Sequence, residues 1–272
     1  MTYKLIAADM DSTALTDDKR LTPRTVEAMN KAIEQGKYVV FSTGRSISLI
    51  RPYIDMIKGM RYAVTASGGT VIDLETGKFL LHRMIDEETV KRIISAATGC
   101  YVYPILFYEN ETYGSGWCVE ILEEFGLPAY APIYKSFMNI VDDSMNYFME
   151  HPAELEKFNL FFGNNYESAE VYEKIKDLPV TFTTRNSRAL EINAVGVSKA
   201  EGLKVLCRHL GIDMSEVIAV GDAENDEEMI ACAGLKVAMG NGSDRVKALA
   251  DVIADTNEND GVAKIIEQYL LD

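Results

Sequence analysis

Positive charge is what this chain is short of. Its 27 lysines and arginines face 42 aspartates and glutamates, a formal net charge of −15 at pH 7 over 272 residues. That balance argues against a nucleic-acid partner, because phosphate backbones are held by clusters of lysine and arginine. The same acidity favours recruiting a divalent cation. Cysteine is scarce: Cys100, Cys118, Cys207 and Cys232 form no C-x-x-C pair and have no histidine at ligand spacing. Neither a zinc site nor a thioredoxin-like redox centre is indicated, and free thiols are expected. The three histidines, His82, His151 and His209, lie outside every candidate motif and are assigned to packing or the surface. No apolar run reaches the ~20 residues of a membrane span, and Met1-Thr2-Tyr3-Lys4 has neither the charged n-region nor the h-region of a secretory leader. A cytoplasmic protein is expected. Internal repeats and low-complexity tracts are absent, which excludes a solenoid or linker array.

What is present is ordinary in bulk and unusual in detail. Hydrophobic residues make up 47% and charged residues 25%, as in a globular protein, and 272 residues are enough for two domains. Three short apolar, strand-like runs each end in chemically capable residues. Leu5-Ile6-Ala7-Ala8 leads into Asp9-Met10-Asp11-Ser12-Thr13, where two carboxylates two apart offer a nucleophile and a proton carrier. Val39-Val40-Phe41-Ser42 leads into Thr43-Gly44-Arg45, an oxyanion cradle in outline: a hydroxyl, a permissive backbone and a fixed positive charge. Val217-Ile218-Ala219-Val220 leads into Gly221-Asp222-Ala223-Glu224-Asn225-Asp226, whose acids and amide suit a hard cation with oxygen ligands. Lys199 opens a helical stretch running to Leu210. In an open parallel sheet ligands sit beyond the carboxyl ends of the strands, so motifs at three strand ends can converge.

These four segments, in this order, resemble the motifs of the haloacid dehalogenase-like phosphohydrolases, and most closely their Cof-type subfamily. The resemblance implies an α/β fold: a doubly wound, Rossmann-like parallel sheet core with an inserted α/β cap domain of the C2 type. It places the core in residues 1–83 and 189–272 and a substrate-specificity cap in 84–188. It implies that Asp9 is the nucleophile, forming an aspartyl phosphate, and that Asp11 is general acid and then base. Lys199 would neutralise charge on the nucleophile and the transferring group. The hydroxyl of Thr43, the backbone N–H groups of Met10 and Gly44, and Asn225 would hold the phosphoryl group together with Lys199. Mg²⁺ would lie between Asp9, the backbone carbonyl of Asp11 and the carboxylate of Asp222, with Asp226 orienting Lys199 and Thr13 supporting the loop. Arg45 is either a phosphate contact or the structural partner of an acid. Three positions depart from the subfamily pattern: Ser12 where glycine is usual, Ser67 where asparagine is common, and Ala200 where glycine often follows the lysine.

The reading is a Mg²⁺-dependent phosphatase of small phosphorylated metabolites such as sugar or cofactor phosphates, monomeric or homodimeric, with no membrane partner. Two alternatives remain: a phosphomutase, and a phosphoaspartate receiver or binding protein without turnover. Local patterns fill in the rest. Thr22-Pro23 opens a helix that continues through Val26, Met29, Ala32 and Ile33 to Gly36, and helices are expected at 47–57 and 87–97. Strands are expected at 38–42, 62–66 and 101–108, with a hairpin over 70–73 and 78–81. The aromatics Tyr101, Tyr103, Phe107, Tyr108 and Trp117 are read as packing of the cap. Arg185 and Arg188 are candidates to meet an anionic or hydroxylated substrate.

Overall fold

The computed structural model describes residues 2–185 and 188–271, with Thr184 and Arg185 described in their backbone alone. The chain divides into two compact units, one made of residues 1–44, 51–82 and 198–272, the other of residues 45–50 and 83–197.

The first unit opens with β1 (Leu5–Ala8), β2 (Tyr38–Ser42), β3 (Tyr62–Thr65), β4 (Thr70–Asp73) and β5 (Lys78–His82). The second unit contributes β6 (Val102–Tyr108), β7 (Glu111–Ser115), β8 (Asn139–Val141), β9 (Lys157–Phe162), β10 (Val180–Arg185) and β11 (Ala189–Ala194), after which β12 (Val217–Gly221), β13 (Leu235–Ala238) and β14 (Val252–Ile253) return to the first. Among the described residues the first unit forms an eight-stranded sheet in the order β14-β13-β12-β1-β2-β3-β4-β5. It is parallel from β14 to β3, and the hairpin β4-β5 adds to β3 antiparallel. Every residue of β1 is fully buried, which is why the run is apolar without alternation: a strand covered on both faces has no solvent side. Helices Pro23–Glu34 and Gly261–Ile265 pack together, the former also against β2, while helix Lys199–Leu210 and the helix after β12 pack with Leu5, Ala7, Val40, Val64 and Ala219.

Chain direction across this sheet decides where a ligand goes. From β1 the chain moves outward through β2 and β3, and later returns to the other side of β1 as β12, so the order reverses between β1 and β12. The crevice at such a reversal, beyond the strand carboxyl ends, is the usual ligand position.

Helix ends follow the sequence signals. Thr22 caps helix Pro23–Glu34 by accepting from the Thr25 N–H, with proline at the first helical position. Ser198 caps helix Lys199–Leu210, which Gly211 ends in a left-handed conformation. The second expected helix is shorter than the pattern suggested, ending at Ile54.

Among the described residues the second unit has a six-stranded sheet, β10-β11-β9-β6-β7-β8, antiparallel except for β7 with β8. Alternation divides its faces. Phe158, Leu160, Leu190 and Ile192 join the apolar core with helix residues Val90, Ile93, Ile94 and Val171. The residues between them, Lys157, Asn159, Glu191 and Asn193, point to the other face, with Lys157 opposite Asn193 and Asn159 opposite Glu191. Lys157 is buried and ion-paired with Glu191, while the Oδ1 atoms of Asn159 and Asn193 are buried with no hydrogen-bond partner.

The boundary expected between 188 and 189 falls inside a hairpin. β10 and β11 pair antiparallel, and β11 also pairs with β9, so residues 189–197 go with the second unit rather than the first. Tyr103 and Phe107 are buried packing residues; Tyr101 and Trp117 keep much of their surface exposed and pack on each other and on Phe125. Arg188 is committed to the fold, donating to the carbonyls of Phe162 and Glu124. The side chain of Arg185 lies outside the described residues.

His82 stacks on Phe79, His209 packs edge-on to Tyr62, and His151 hydrogen-bonds the Tyr147 carbonyl, so all three are packing or surface residues. The four cysteines are free thiols. Among the described residues no helix is long and apolar enough to cross a membrane.

Candidate active site

Asp9 follows the last residue of β1 and stays in register with β12, its N–H donating to the Val220 carbonyl at 3.0 Å. The next residues wind into a tight turn closed by Ala14 N–H to Asp9 O and Leu15 N–H to Met10 O. Within it Ser12 is left-handed, φ 57°, and Ser67, in the turn after β3, has the same φ. Those are the positions where glycine and asparagine are usual, and the reason is physical: glycine and asparagine enter this region at the least steric cost.

Lys199 is brought to Asp9 by packing rather than by sequence proximity. Gly68, at φ 100°, lies so close to the start of the lysine's helix that a Cβ there would sit 2.0 Å from the Ser198 carbonyl oxygen. With that approach made, the Lys199 ammonium, 1% exposed, donates to Asp9 Oδ1 at 2.6 Å and to Asp226 Oδ1 at 2.7 Å. Asp226 is fully buried and spends its other oxygen on the N–H groups of Asp222 (3.0 Å) and Ala223 (3.1 Å). It therefore fixes both the lysine and the backbone of the loop that carries Asp222. Thr13 Oγ1 donates to Asp222 Oδ1 at 2.8 Å, tying the first motif to the last.

Carboxylate oxygens of Asp9, Asp222 and Asp226 lie within 4.8 Å of one another. Burial pushes the Asp9 carboxyl well above its ordinary range; the nearby Lys199 opposes this, while Asp226 and Asp222 add to it. Burial also pushes Asp222 up to about 6, and the neighbouring Asp226 adds to it. Burial pulls the Lys199 ammonium down, but the carboxylates of Asp226 and Asp9 outweigh it and raise it above its ordinary range. With all three ionised, the carboxylates exceed the single ammonium by two negative charges, and burial holds Asp9 and Asp222 toward the protonated form until a cation is present. An all-oxygen donor set with that excess fits a hard divalent cation such as Mg²⁺. Asp226 is already occupied by Lys199 and two N–H groups, so Asp9 and Asp222 are the carboxylates suited to hold it.

The remaining expected residues are placed as follows. Thr43 and Gly44 follow the end of β2, the strand beside β1; Thr43 is buried and its backbone bonds Val64 O and Ser67 N. The Met10 side chain is buried, and Asn225 is half-buried in the turn leading to Asp226. Arg45 belongs to the second unit, where its guanidinium lies 5.4 Å from the ring centre of Tyr130. The Asp11 side chain does not join the carboxylate cluster; it pairs with Lys19. Sequence reading passed over Lys19, because a lysine in a polar turn, Thr16-Asp17-Asp18-Lys19-Arg20, carries no signal of its own.

The model of the haloacid dehalogenase-like hydrolases matches residues 6–266. The chain belongs to that family. It is 31% identical to the 5-amino-6-(5-phospho-D-ribitylamino)uracil phosphatase YcsE of Bacillus subtilis, over 98% of this chain and 96% of the relative. It is 27% identical to the HMP-PP phosphatase of Serratia proteamaculans, over 98% and 96% of the two chains. A solved haloacid dehalogenase-like hydrolase from Bacteroides thetaiotaomicron shares the fold with a TM-score of 0.85 at 26% identity, covering 98% of this chain and 99% of the other. Such relatives make this haloacid dehalogenase-like hydrolase a phosphatase, and the Cof-type resemblance of its motifs agrees.

Proposed function

We propose that this chain is a Mg²⁺-dependent phosphomonoesterase of small phosphorylated metabolites, working through an aspartyl phosphate on Asp9. The observation that carries the reading is the buried Lys199 bridging Asp9 and Asp226 beside Asp222. A lone carboxylate pair at a strand end has no need of a dehydrated ammonium, whereas a phosphoryl-transfer site does, because charge on the transferring group must be met by fixed donors.

In this mechanism an oxygen of Asp9 attacks phosphorus in line; the Asp9–phosphorus bond forms as the phosphorus–ester oxygen bond breaks. Asp11 gives its proton to the departing oxygen. A water then attacks the phosphoryl group, passes its proton to Asp11 and releases inorganic phosphate together with the restored Asp9 carboxylate. Lys199 keeps the nucleophile oriented and offsets charge on the transferring group, while Thr43, the N–H groups of Met10 and Gly44, and Asn225 hold phosphoryl oxygens. Asp9, Asp222 and the Asp11 carbonyl would hold Mg²⁺, which would supply charge neutralisation at the transferring phosphoryl group. Substrates of the kind that name the relatives, 5-amino-6-(5-phospho-D-ribitylamino)uracil and HMP-PP, support small sugar-like and cofactor phosphates as the class.

The test is phosphate release from p-nitrophenyl phosphate and a panel of sugar, nucleotide and cofactor phosphates, with Mg²⁺ and with EDTA, in wild type and Asp9→Asn. Metal-dependent turnover in wild type that disappears in the variant is expected. Folded wild-type protein that turns over none of them in Mg²⁺ would sink the reading.

A further inference from the structure

Asp11 has a partner that the motif does not announce. Lys19 Nζ lies 2.9 Å from Asp11 Oδ1, and the lysine side chain is only 11% exposed. An ion pair between solvent-exposed side chains forms from any two long side chains within reach and is worth little. This one is built. Lys19 takes a left-handed backbone conformation, φ 62°, which is sterically unfavourable for a non-glycine residue and persists where the surroundings impose it. Those surroundings are visible: the Lys19 N–H donates to Thr16 O at 2.9 Å, Thr16 N–H donates to Arg20 O at 3.0 Å, and the Tyr53 hydroxyl donates to Lys19 O at 2.8 Å. Asn257 anchors the same loop, its Nδ2 donating to Leu15 O and to Asp17 Oδ1. A turn held from three sides in a strained conformation returns the ammonium to the carboxyl eight residues before it.

We propose that Lys19 is the positioning residue of Asp11, holding its carboxyl in the orientation from which a proton passes to the departing ester oxygen. The inference rests on the phosphatase reading and deepens it by adding a residue to the proton-transfer apparatus. Lys199 serves the nucleophile and Lys19 the acid, so each of the two carboxylates of the first motif is paired with an ammonium, the one on Asp9 being shared with Asp226. A proton carrier has to lie within hydrogen-bond reach of the leaving oxygen, and a displacement of about 1 Å costs about 10²-fold.

The experiment compares two esters of similar size and different leaving group, benzyl phosphate and 4-nitrophenyl phosphate, in wild type, Lys19→Met and Lys19→Arg. The quantity is kcat/KM with Mg²⁺, which covers steps only up to departure of the leaving group. Benzyl alkoxide needs a proton to leave and 4-nitrophenolate does not. With Lys19→Met, kcat/KM is expected to fall about 10- to 100-fold on the benzyl ester and at most about 3-fold on the nitrophenyl ester. Lys19→Arg, which keeps the charge, is expected to recover part of the loss. In an Asp11→Asn background, adding Lys19→Met should cost nothing more on the benzyl ester. Equal losses on the two esters, or a further loss in the Asp11→Asn background, would mean that Lys19 only holds the loop, and would overturn the proposal. Thermal unfolding of both variants separates misfolding from these outcomes, with Lys19→Arg as the variant that preserves the ion pair. Wild-type protein that hydrolyses neither ester would overturn the phosphatase reading, and the role of Lys19 with it.

Discussion

Asp226 occupies the space where residue 221 would carry a side chain: a Cβ on Gly221 would lie 2.4 Å from the Asp226 carboxyl carbon and 2.6 Å from Oδ2. That oxygen accepts the N–H groups of Asp222 and Ala223, and its twin accepts from Lys199. The glycine of the last motif is thus a packing requirement of the lysine bridge.

Gly221→Ala is expected to displace Asp226, losing about 1–3 kcal/mol to overpacking and lowering kcat by about 10²-fold or more through Lys199. Urea unfolding and steady-state kinetics check both. Asp226→Asn should show a similar kinetic loss with less strain, because an amide offers one acceptor where the carboxylate uses two and turns a donor toward either the ammonium or the two N–H groups. Wild-type kinetics in Gly221→Ala would show that Asp226 does not hold Lys199 in place for catalysis.

Metal and pH act on the same carboxylates. Asp9 and Asp222 are both held above their ordinary value of 3.8 in the folded protein, chiefly by burial. A raised folded value means that the stability these groups give is complete below about pH 4 and is lost as pH rises, through about 6 for Asp222 and later for Asp9. Carboxyls held low by hydrogen bonds, such as Asp86 and Asp213, lose stability only on the acid side, so the window from pH 5 to 8 isolates the cluster. In EDTA the melting temperature is expected to fall across that window. Mg²⁺ at a hundredfold excess over its Kd should restore about 2.7 kcal/mol at pH 8 and much less at pH 5, where protons compete for the ligands. A melting temperature that is flat with pH and indifferent to Mg²⁺ would count against the cluster as a cation site.

Lys157 tests the second unit separately. Its buried ammonium is paired with Glu191 on the face of the sheet that carries Asn159 and Asn193. Lys157→Met leaves the carboxylate half-buried without this partner and is expected to cost about 3–5 kcal/mol, whereas Lys157→Met with Glu191→Leu should recover most of it. Differential scanning calorimetry reads both. A double variant no better than the single one would show that the polar pair itself is needed on that face.

Much of the candidate site could be read from residue order. Buried parallel strands read as nearly continuous apolar runs, so β1, β2 and β12 announced themselves, and the residues following β1 and β12 include Asp9 and Asp222 of the carboxylate cluster. Caps were legible for the same local reason, as Thr22-Pro23 and the Lys199 helix show. The boundary near residue 188 was not, because β11 reads as an apolar strand whichever sheet it joins, and only its pairing with β9 and β10 assigns it.

The sequence by itself determined which candidate side chains are present, since the identities of Asp9, Asp11, Thr43, Lys199 and Asp222 and their place after strands or at a helix start are local properties. Only the tertiary structure decided which of them meet. Lys199 reaches Asp9 across 190 residues because Gly68 lets its helix approach, and Thr13 reaches Asp222 across 209 because β1 and β12 are neighbours. Lys19 turns back to Asp11 because a strained loop is pinned from outside by Tyr53 and Asn257. Such contacts depend on packing between distant segments, which residue spacing along the chain does not encode.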